Sequence, residues 1–396
     1  MPNLAQLGGT PVRSNDRFLV YGAPLIEEAE IAEVTACLRA GWIGTGPRVH
    51  QFENDFRRYK GAKYSAALNS CTAGLHLAMF ACGIGPGDEV ITTPMTFCAT
   101  VNAIIHCGAT PVLADCDLTT MNVLPEEIER KITARTKAII PVHFAGRCCD
   151  MEAIVSLARR YDLLVIEDCA HAIESEYRGK KAGTFGDIGC FSFYVTKNVV
   201  TGEGGMVITD DERLVGRIKT LGLHGMTKDA WSRFSDAGYK HYQVIHAGYK
   251  YNMTDMQAAM GIHQLARVEK SWERRAAIWS RYNEAFADLP CVIPADPEPD
   301  TRHAFHLYTV RIGPATKRDW VLEAMTCEGI GIGVHYVPVH LHPFYRKTFG
   351  WKEGDFPNAE QIGQSTLSLP LSPALSEEDV EDVITAFRKV AVAAVQ

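Results

Sequence analysis

The chain has 396 residues, with 40 Lys and Arg against 47 Asp and Glu, for a formal net charge of −7. That length allows two or three domains and a core that needs no disulfide or metal staple. The acidic balance argues against a dedicated nucleic-acid binder, and no stretch approaches the roughly 20 apolar residues of a membrane span.

The N-terminal MPNLAQLGGTPVRSND has no basic region followed by an apolar core, so no secretory leader is expected. Helical patterns at 73–81, 100–107, 125–132 and 151–161 then alternate with Val- and Ile-rich runs at 89–93, 111–114, 138–142 and 163–167. Largely apolar runs suit parallel strands covered on both faces. The alternation predicts a doubly wound α/β domain. Runs at 190–194 and 205–209, joined by VTKNVVTGEG, read as a hairpin-like pair at one side of the sheet. One long helical stretch covers 256–289, and the Pro-rich 290–299 reads as a linker. A strand at 307–312, a helix at 317–328, a strand at 333–337 and a terminal helix at 376–395 predict a small α+β domain. The expected units are a large domain over 1–255 with its N-terminal segment, a connecting helix over 256–289, and a small domain over 290–396. The 12 cysteines are scattered, with no C-x-x-C pair, which points to a reducing cytoplasm and no disulfide framework.

Two segments carry chemistry. In IEDCAHA (166–172) an acidic pair closes an apolar strand, which puts Asp168 where open α/β sheets form their ligand crevice. The same aspartate could simply cap a helix. In CFSFYVTKNVVTGEGG (190–205) Lys197 stands between a strand and a glycine-rich turn. A lysine shielded from water there can have a lowered pKa and form a Schiff base with an aldehyde. Alone it would read as a solvated loop lysine. Together the two match the needs of pyridoxal phosphate: a lysine for the aldehyde and a carboxylate for the pyridinium nitrogen. NSCTAGL (69–75) leads small and hydroxyl side chains into a helix, whose N-terminus suits a phosphate. Phe97, after a strand, could stack on the ring.

GWIGTGP (41–47), NSCTAGLHLA (69–78), GDEVITTPMTFCAT (87–100), IEDCAHA (166–172), GTFGDIGCFSFYVTKNVVTGEGGM (183–206) and GYKYNMTDMQAA (248–259) jointly resemble the DegT/DnrJ/EryC1/StrS sugar aminotransferases. The resemblance runs from about Gly41 to the C-terminus. It implies a fold-type I pyridoxal-phosphate enzyme: a large, mostly parallel mixed sheet domain plus a small C-terminal α+β domain. By the resemblance, Lys197 bears the cofactor and shuttles a proton, and Asp168 pairs with the pyridinium nitrogen. His171 falls near the ring hydroxyl, Phe97 stacks, and Thr72, Ala73 and Ser192 bind the phosphate. Asn252 reaches the phosphate of the neighbouring subunit, which implies a homodimer with shared sites. Cys71 stands where the family more often has Gly or Ala. Relatives with histidine in place of the lysine are dehydratases, so Lys197 favours amination.

PVHFAG (141–146), GYKYN (248–252) and His306-Leu307-Tyr308 resemble the 4-aminotransferases, notably those making UDP-4-amino-4-deoxy-L-arabinose. The implied reaction moves the amino group of glutamate to carbon 4 of a nucleotide-linked keto sugar. Amination at carbon 3, dehydration and a non-catalytic sugar-nucleotide sensor remain as alternatives. The histidine-rich GVHYVPVHLH (333–342) suggests a metal, but Pro338 and Pro343 indicate a loop and no Cys or acid sits at ligand spacing. We therefore expect a substrate-facing loop and no metal site, with Thr45, His335 and Tyr345 as candidate substrate contacts.

Overall fold

The computed structural model describes residues 4–227, 241–313 and 318–394; Lys317 and Val395, expected at helix ends, lie outside the described residues. Helices α1 (Glu28–Ala40) and α2 (Pro47–Lys60) lead into strand β1 (Tyr64–Leu68). Helices and strands then alternate: α3 (Cys71–Ala81), β2 (Glu89–Thr92), α4 (Cys98–His106), β3 (Thr110–Leu113), α5 (Pro125–Lys131), β4 (Thr136–Ile139), α6 (Met151–Arg160) and β5 (Leu164–Asp168). The short strands β6 (Glu176–Tyr177) and β7 (Lys180–Lys181) precede β8 (Ile188–Ser192), β9 (Gly205–Thr209) and α7 (Glu212–Gly222).

Seven of these strands form one sheet in the order β1-β9-β8-β5-β4-β2-β3. Strands β3, β2, β4, β5 and β8 run parallel, and β9 is antiparallel to both β8 and β1. Strand β1 therefore runs with β8, and the carboxyl ends of all strands but β9 share one edge. The sheet divides its side chains between two apolar layers with a period of two. Ala66, Cys190 and Val207 face Leu75, Leu77 and Met79 of α3. Ala67, Phe191, Met206 and Ile208 face Phe52 and Phe56 of α2. Strand β1 escapes a sequence reading because YSAAL lacks β-branched residues, yet small alanines fit between these two helical layers.

The stretch 256–289 is two helices, α8 (Asp255–Ala266) and α9 (Val268–Phe286), which corrects the expected single helix. Arg267 leaves helical geometry between them (φ −107°, ψ 11°). Its guanidinium is drawn away to the Leu25 carbonyl at 2.8 Å and to the buried Glu30. The C-terminal part contains β10 (Cys291–Val292), β11 (Thr301–Arg302), β12 (Tyr308–Ile312), α10 (Arg318–Cys327), α11 (Pro343–Phe349), α12 (Pro357–Ser365), β13 (Thr366–Leu369) and α13 (Glu377–Ala393). Strands β10, β12 and β13 form a small sheet, while β11 joins β6 and β7. The Pro-rich stretch thus carries a strand as well as connecting chain. The expected strand at 333–337 is absent; Gly333 makes a single bridge to Ser368. The chain there turns His335 and Tyr336 toward a cavity instead of extending the ladder.

The N-terminal segment packs on the C-terminal unit rather than on the large sheet. Leu4 lies in a core with Val310, Leu367 and Phe387, and Arg13 pairs with Asp379 at 2.5 Å. No helix among the described residues is long and apolar enough to cross a membrane.

Candidate active site

The shared carboxyl edge of the sheet opens into a cavity of about 480 Å³. Each wall follows a strand end. Ser70 to Thr72 follow β1, and Thr96, Phe97 and Thr100 come after β2. Asp168 ends β5, Ser192 ends β8, and Lys197 lies five residues beyond. This is the crevice that open α/β sheets reserve for ligands.

Asp168 is buried. Its Oδ2 accepts the Thr100 hydroxyl at 2.8 Å, and its Oδ1 accepts the Ala170 amide at 3.1 Å. Two donors use half of a carboxylate's accepting capacity and leave it able to take a cationic N–H. Burial pushes its pKa upward, opposed by the Thr100 and Ala170 hydrogen bonds and the Lys197 charge. No helix starts here, because residues 170–175 are turns and coil, so the helix-cap reading of Asp168 fails. Lys197 lies on the cavity wall, and burial lowers its pKa to about 8. Near neutral pH the free amine, which acts as nucleophile or base, is therefore far more populated than in an ordinary lysine. The solvated-loop reading fails with it.

The phosphate end is made by the first turn of α3. Ser70 Oγ caps it, accepting the Ala73 amide at 3.1 Å. That cap occupies the Ala73 N–H, and Ala73 does not line the cavity, in contrast to its expected contact. Cys71, Thr72 and Ser192 do line the cavity. Gly205 is required opposite them, since a Cβ there would collide with the Ser70–Cys71 peptide. Phe97 is 59% exposed at the mouth, a large apolar face awaiting a planar partner. A lysine of lowered pKa, a half-satisfied carboxylate, a free helix N-terminus and an open aromatic face all fit pyridoxal phosphate.

Histidine 171 is fixed from behind. Its Nδ1 accepts the Ala145 amide at 3.2 Å, and burial holds its pKa well below the usual range. The neutral ring must then carry its proton on Nε2, which faces Tyr336 Oη at 3.1 Å. His335 also reaches the cavity; its Nδ1 is 2.8 Å from Ser368 Oγ, and burial lowers its pKa to about 3. Thr100 and Tyr336 were not identified from sequence, and His306 was marked only through its motif with Leu307 and Tyr308. The His306 ring centroid is 4.4 Å from that of His171, tilted by 36°, and its Nδ1 lies 3.0 Å from Asn198 Oδ1. The His-Tyr pair after the Gly329 to Gly333 alternation was the available signal for Tyr336.

Three expected residues lie elsewhere. Asn252 donates to Thr45 Oγ1 at 2.7 Å, and both line a separate cavity beside β1. Tyr345 is buried, its hydroxyl donating to Asn102 at 2.7 Å, so it serves packing rather than the cavity. The histidines of 333–342 do not converge: His340 pairs with Glu360 at 2.9 Å, away from His335 and Ser368. Among the described residues, His143, Glu167 and Cys169 do cluster at ligand distance. Glu167 is already saturated, accepting the Gly183, Phe185 and Gly186 amides and lying 3.0 Å from His143. That knot anchors the loop entering β8.

The family model of DegT/DnrJ/EryC1/StrS aminotransferases matches residues 24–388. The spore coat polysaccharide biosynthesis protein SpsC of Bacillus subtilis is 50% identical over 383 residues, 96% of this chain and 98% of that protein. Spr1654 of Streptococcus pneumoniae, solved in its PLP form, superposes with a TM-score of 0.90 at 33% identity, covering 96% of this chain and all (100%) of that one. Helicobacter pylori PseC, an aminotransferase of pseudoaminic acid biosynthesis, superposes with a TM-score of 0.88 at 28% identity over 95% of this chain and 100% of that one. The chain belongs to the DegT/DnrJ/EryC1/StrS family and is a pyridoxal-phosphate-dependent sugar aminotransferase of the fold-type I architecture.

Proposed function

We propose that this enzyme transfers the amino group of glutamate to carbon 4 of a nucleotide-linked keto sugar, with UDP as the nucleotide. The observation that carries the amination reading is Lys197 and Asp168 facing one cavity whose far wall holds His335 and Tyr336. The carbon-4 reading rests on the His306-Leu307-Tyr308 motif, whose histidine packs against His171 behind the site. SpsC, of spore coat polysaccharide biosynthesis, supports a product that enters a surface glycan.

The bound cofactor supplies an electron sink for the carbon that gains or loses the amino group. Asp168 would keep the pyridine nitrogen protonated, and the Thr100 and Ala170 hydrogen bonds favour the ionised form of Asp168. Thr72 and Ser192 would hold the phosphate, Phe97 would stack on the ring, and His171 would stand near the ring hydroxyl. Lys197 Nζ anchors the cofactor at rest. Released, it carries a proton to or from the reacting carbon. Positioned proton transfer of this kind is worth about 10²–10⁴-fold.

We further propose a cytoplasmic homodimer with shared sites, in which Asn252 reaches the partner's cofactor phosphate. Trp42 and Ile43, about half exposed (49% and 51%) beside Thr45, give that surface its apolar character. The test is a half-reaction followed by absorption. The enzyme is loaded in the pyridoxamine form and mixed separately with a UDP-4-keto-pentose, a nucleotide 4-keto-6-deoxyhexose and a nucleotide 3-keto sugar. Return of the lysine-bound cofactor's visible band with the UDP-pentose supports the reading. Return only with a 3-keto sugar, or with none, overturns it.

A further inference from the structure

A second cavity, of about 170 Å³, lies between the loop at 119–121, the segment 144–147, α9 and the Pro-rich stretch. It has no role in the reaction described above. Its polar lining joins Thr119, Thr120 and Thr309 to four donor side chains, Arg147, Trp279, His303 and Arg311. Trp279 lines it, and the buried Nε1–H of that ring has no hydrogen-bond partner. Arg311 also lines it, and its side chain makes no ion pair or hydrogen bond among the described residues. Asp117 acts on Arg311 only through space, and burial lowers the arginine's pKa. His303, 4% exposed, accepts the Phe305 amide on Nδ1 at 2.8 Å, so its neutral ring carries the proton on Nε2. Arg147, 6% exposed, completes the set, although it is engaged by the Ala295 and Asp296 carbonyls and by Glu298.

A buried donor without an acceptor is destabilising, and an unpaired half-buried guanidinium adds to that. Both costs vanish if an acceptor-only group enters. Two acids stand by the cavity wall: Glu298 is committed to Arg147 at 2.6 Å, and Asp117 Oδ1 accepts the Thr119 and Thr120 amides at 2.9 and 2.7 Å, with no direct bond to Arg311. We infer that this cavity is a binding site for a small oxyanion, a phosphate or carboxylate, held by Arg311, Trp279 Nε1–H and His303.

The site adjoins the active site through one wall. Phe144 and Ala145 line the oxyanion cavity, and the Ala145 amide fixes His171 at 3.2 Å. The Phe144 ring lies 6.1 Å from Tyr336 on the same side. Occupancy therefore bears on the segment that sets the orientation of His171.

The test is calorimetry on the cofactor-loaded enzyme, so that the phosphate cradle of α3 is already filled. Inorganic phosphate and malonate are titrated separately, and the two arms distinguish a phosphate from a carboxylate ligand. Saturable binding of one anion per chain is expected for at least one of them. Trp279→Phe keeps the ring and removes only the donor, and Arg311→Gln removes the charge; each should weaken binding by about tenfold or more. Arg213→Gln, on the exposed surface, should leave it unchanged. No saturable heat from either anion, or an affinity untouched by Trp279→Phe, overturns the proposal. Trp279→Phe decides alone if Arg311→Gln does not fold. None of these readouts depends on turnover or on which sugar is aminated.

Discussion

Thr100 donates its hydroxyl to Asp168 Oδ2 at 2.8 Å, tying the first turn of α4 to the end of β5 at the base of the cofactor cavity. Thr96 continues the chain, its hydroxyl 2.8 Å from that of Thr100. The bond favours the ionised carboxylate, against the burial that favours the neutral one. Thr100→Val keeps the shape and deletes the donor. The Asp168 pKa then rises, so the acid limb of the kcat/KM profile moves to higher pH and activity is lost sooner on acidification. An unchanged acid limb would show that Thr100 does not hold the charge.

Asp168→Asn removes the charge altogether while preserving volume. Removing one preorganised electrostatic partner costs about 10²–10³-fold in rate. The variant should still bind the cofactor, and single-turnover kinetics with glutamate would show the loss in the chemical step.

Lys197→Ala should retain cofactor by its phosphate and ring contacts but lose the lysine-linked absorption band. Turnover should fall by at least the roughly 10²–10⁴-fold that a positioned acid–base group supplies. A variant turning over at the wild-type rate would remove Lys197 from the mechanism.

Burial lowers the Lys197 pKa from 10.5 to about 8. Its free-amine fraction near pH 7 is then about a tenth, some hundreds of times more than for an ordinary lysine. Reconstitution of the cofactor-free protein with pyridoxal phosphate should speed up as pH rises from 7 and level off above about 8. The linked stability has a definite sign. Between about 8 and 10.5 the unfolded chain still holds the proton the folded chain has shed, so this group makes the cofactor-free protein more stable as pH rises. Below about 8 its penalty is fully present. A reconstitution rate flat from pH 7 to 9 would contradict the lowered pKa.

Arg275 and Glu174 form a buried ion pair, 1% and 0% exposed, and Glu174 also accepts the Asn198 side-chain amide at 2.8 Å. Asn198 follows Lys197, so this pair braces the lysine loop from α9. Arg275→Met leaves Glu174 buried without its cation and should cost about 3–5 kcal/mol. A marked fall in the thermal unfolding midpoint is expected, and no fall would mean that Glu174 becomes neutral or hydrated without cost.

Strand ends and the lysine loop were legible in the sequence because their composition is local: Ile166 to Asp168 is an apolar run stopped by acids, and Lys197 is framed by glycines. What escaped depends on distant contacts. Strand β1 is recognisable only once α2 and α3 cover its alanines. The break at Arg267 is set by Leu25 and Glu30, more than two hundred residues earlier in the chain (separations of 242 and 237). Tyr345 looked like a loop residue near histidines, and its burial follows from Asn102 on α4. The N-terminal segment carries no sign in its own sequence that Arg13 will meet Asp379.

The most direct test of the proposed reaction is product analysis with ¹⁵N-labelled glutamate and a UDP-4-keto sugar. The account predicts that NMR places the label on carbon 4 of the sugar, with 2-oxoglutarate formed in equal amount. Label on carbon 3, or no label in any sugar while the enzyme holds its cofactor, would contradict it.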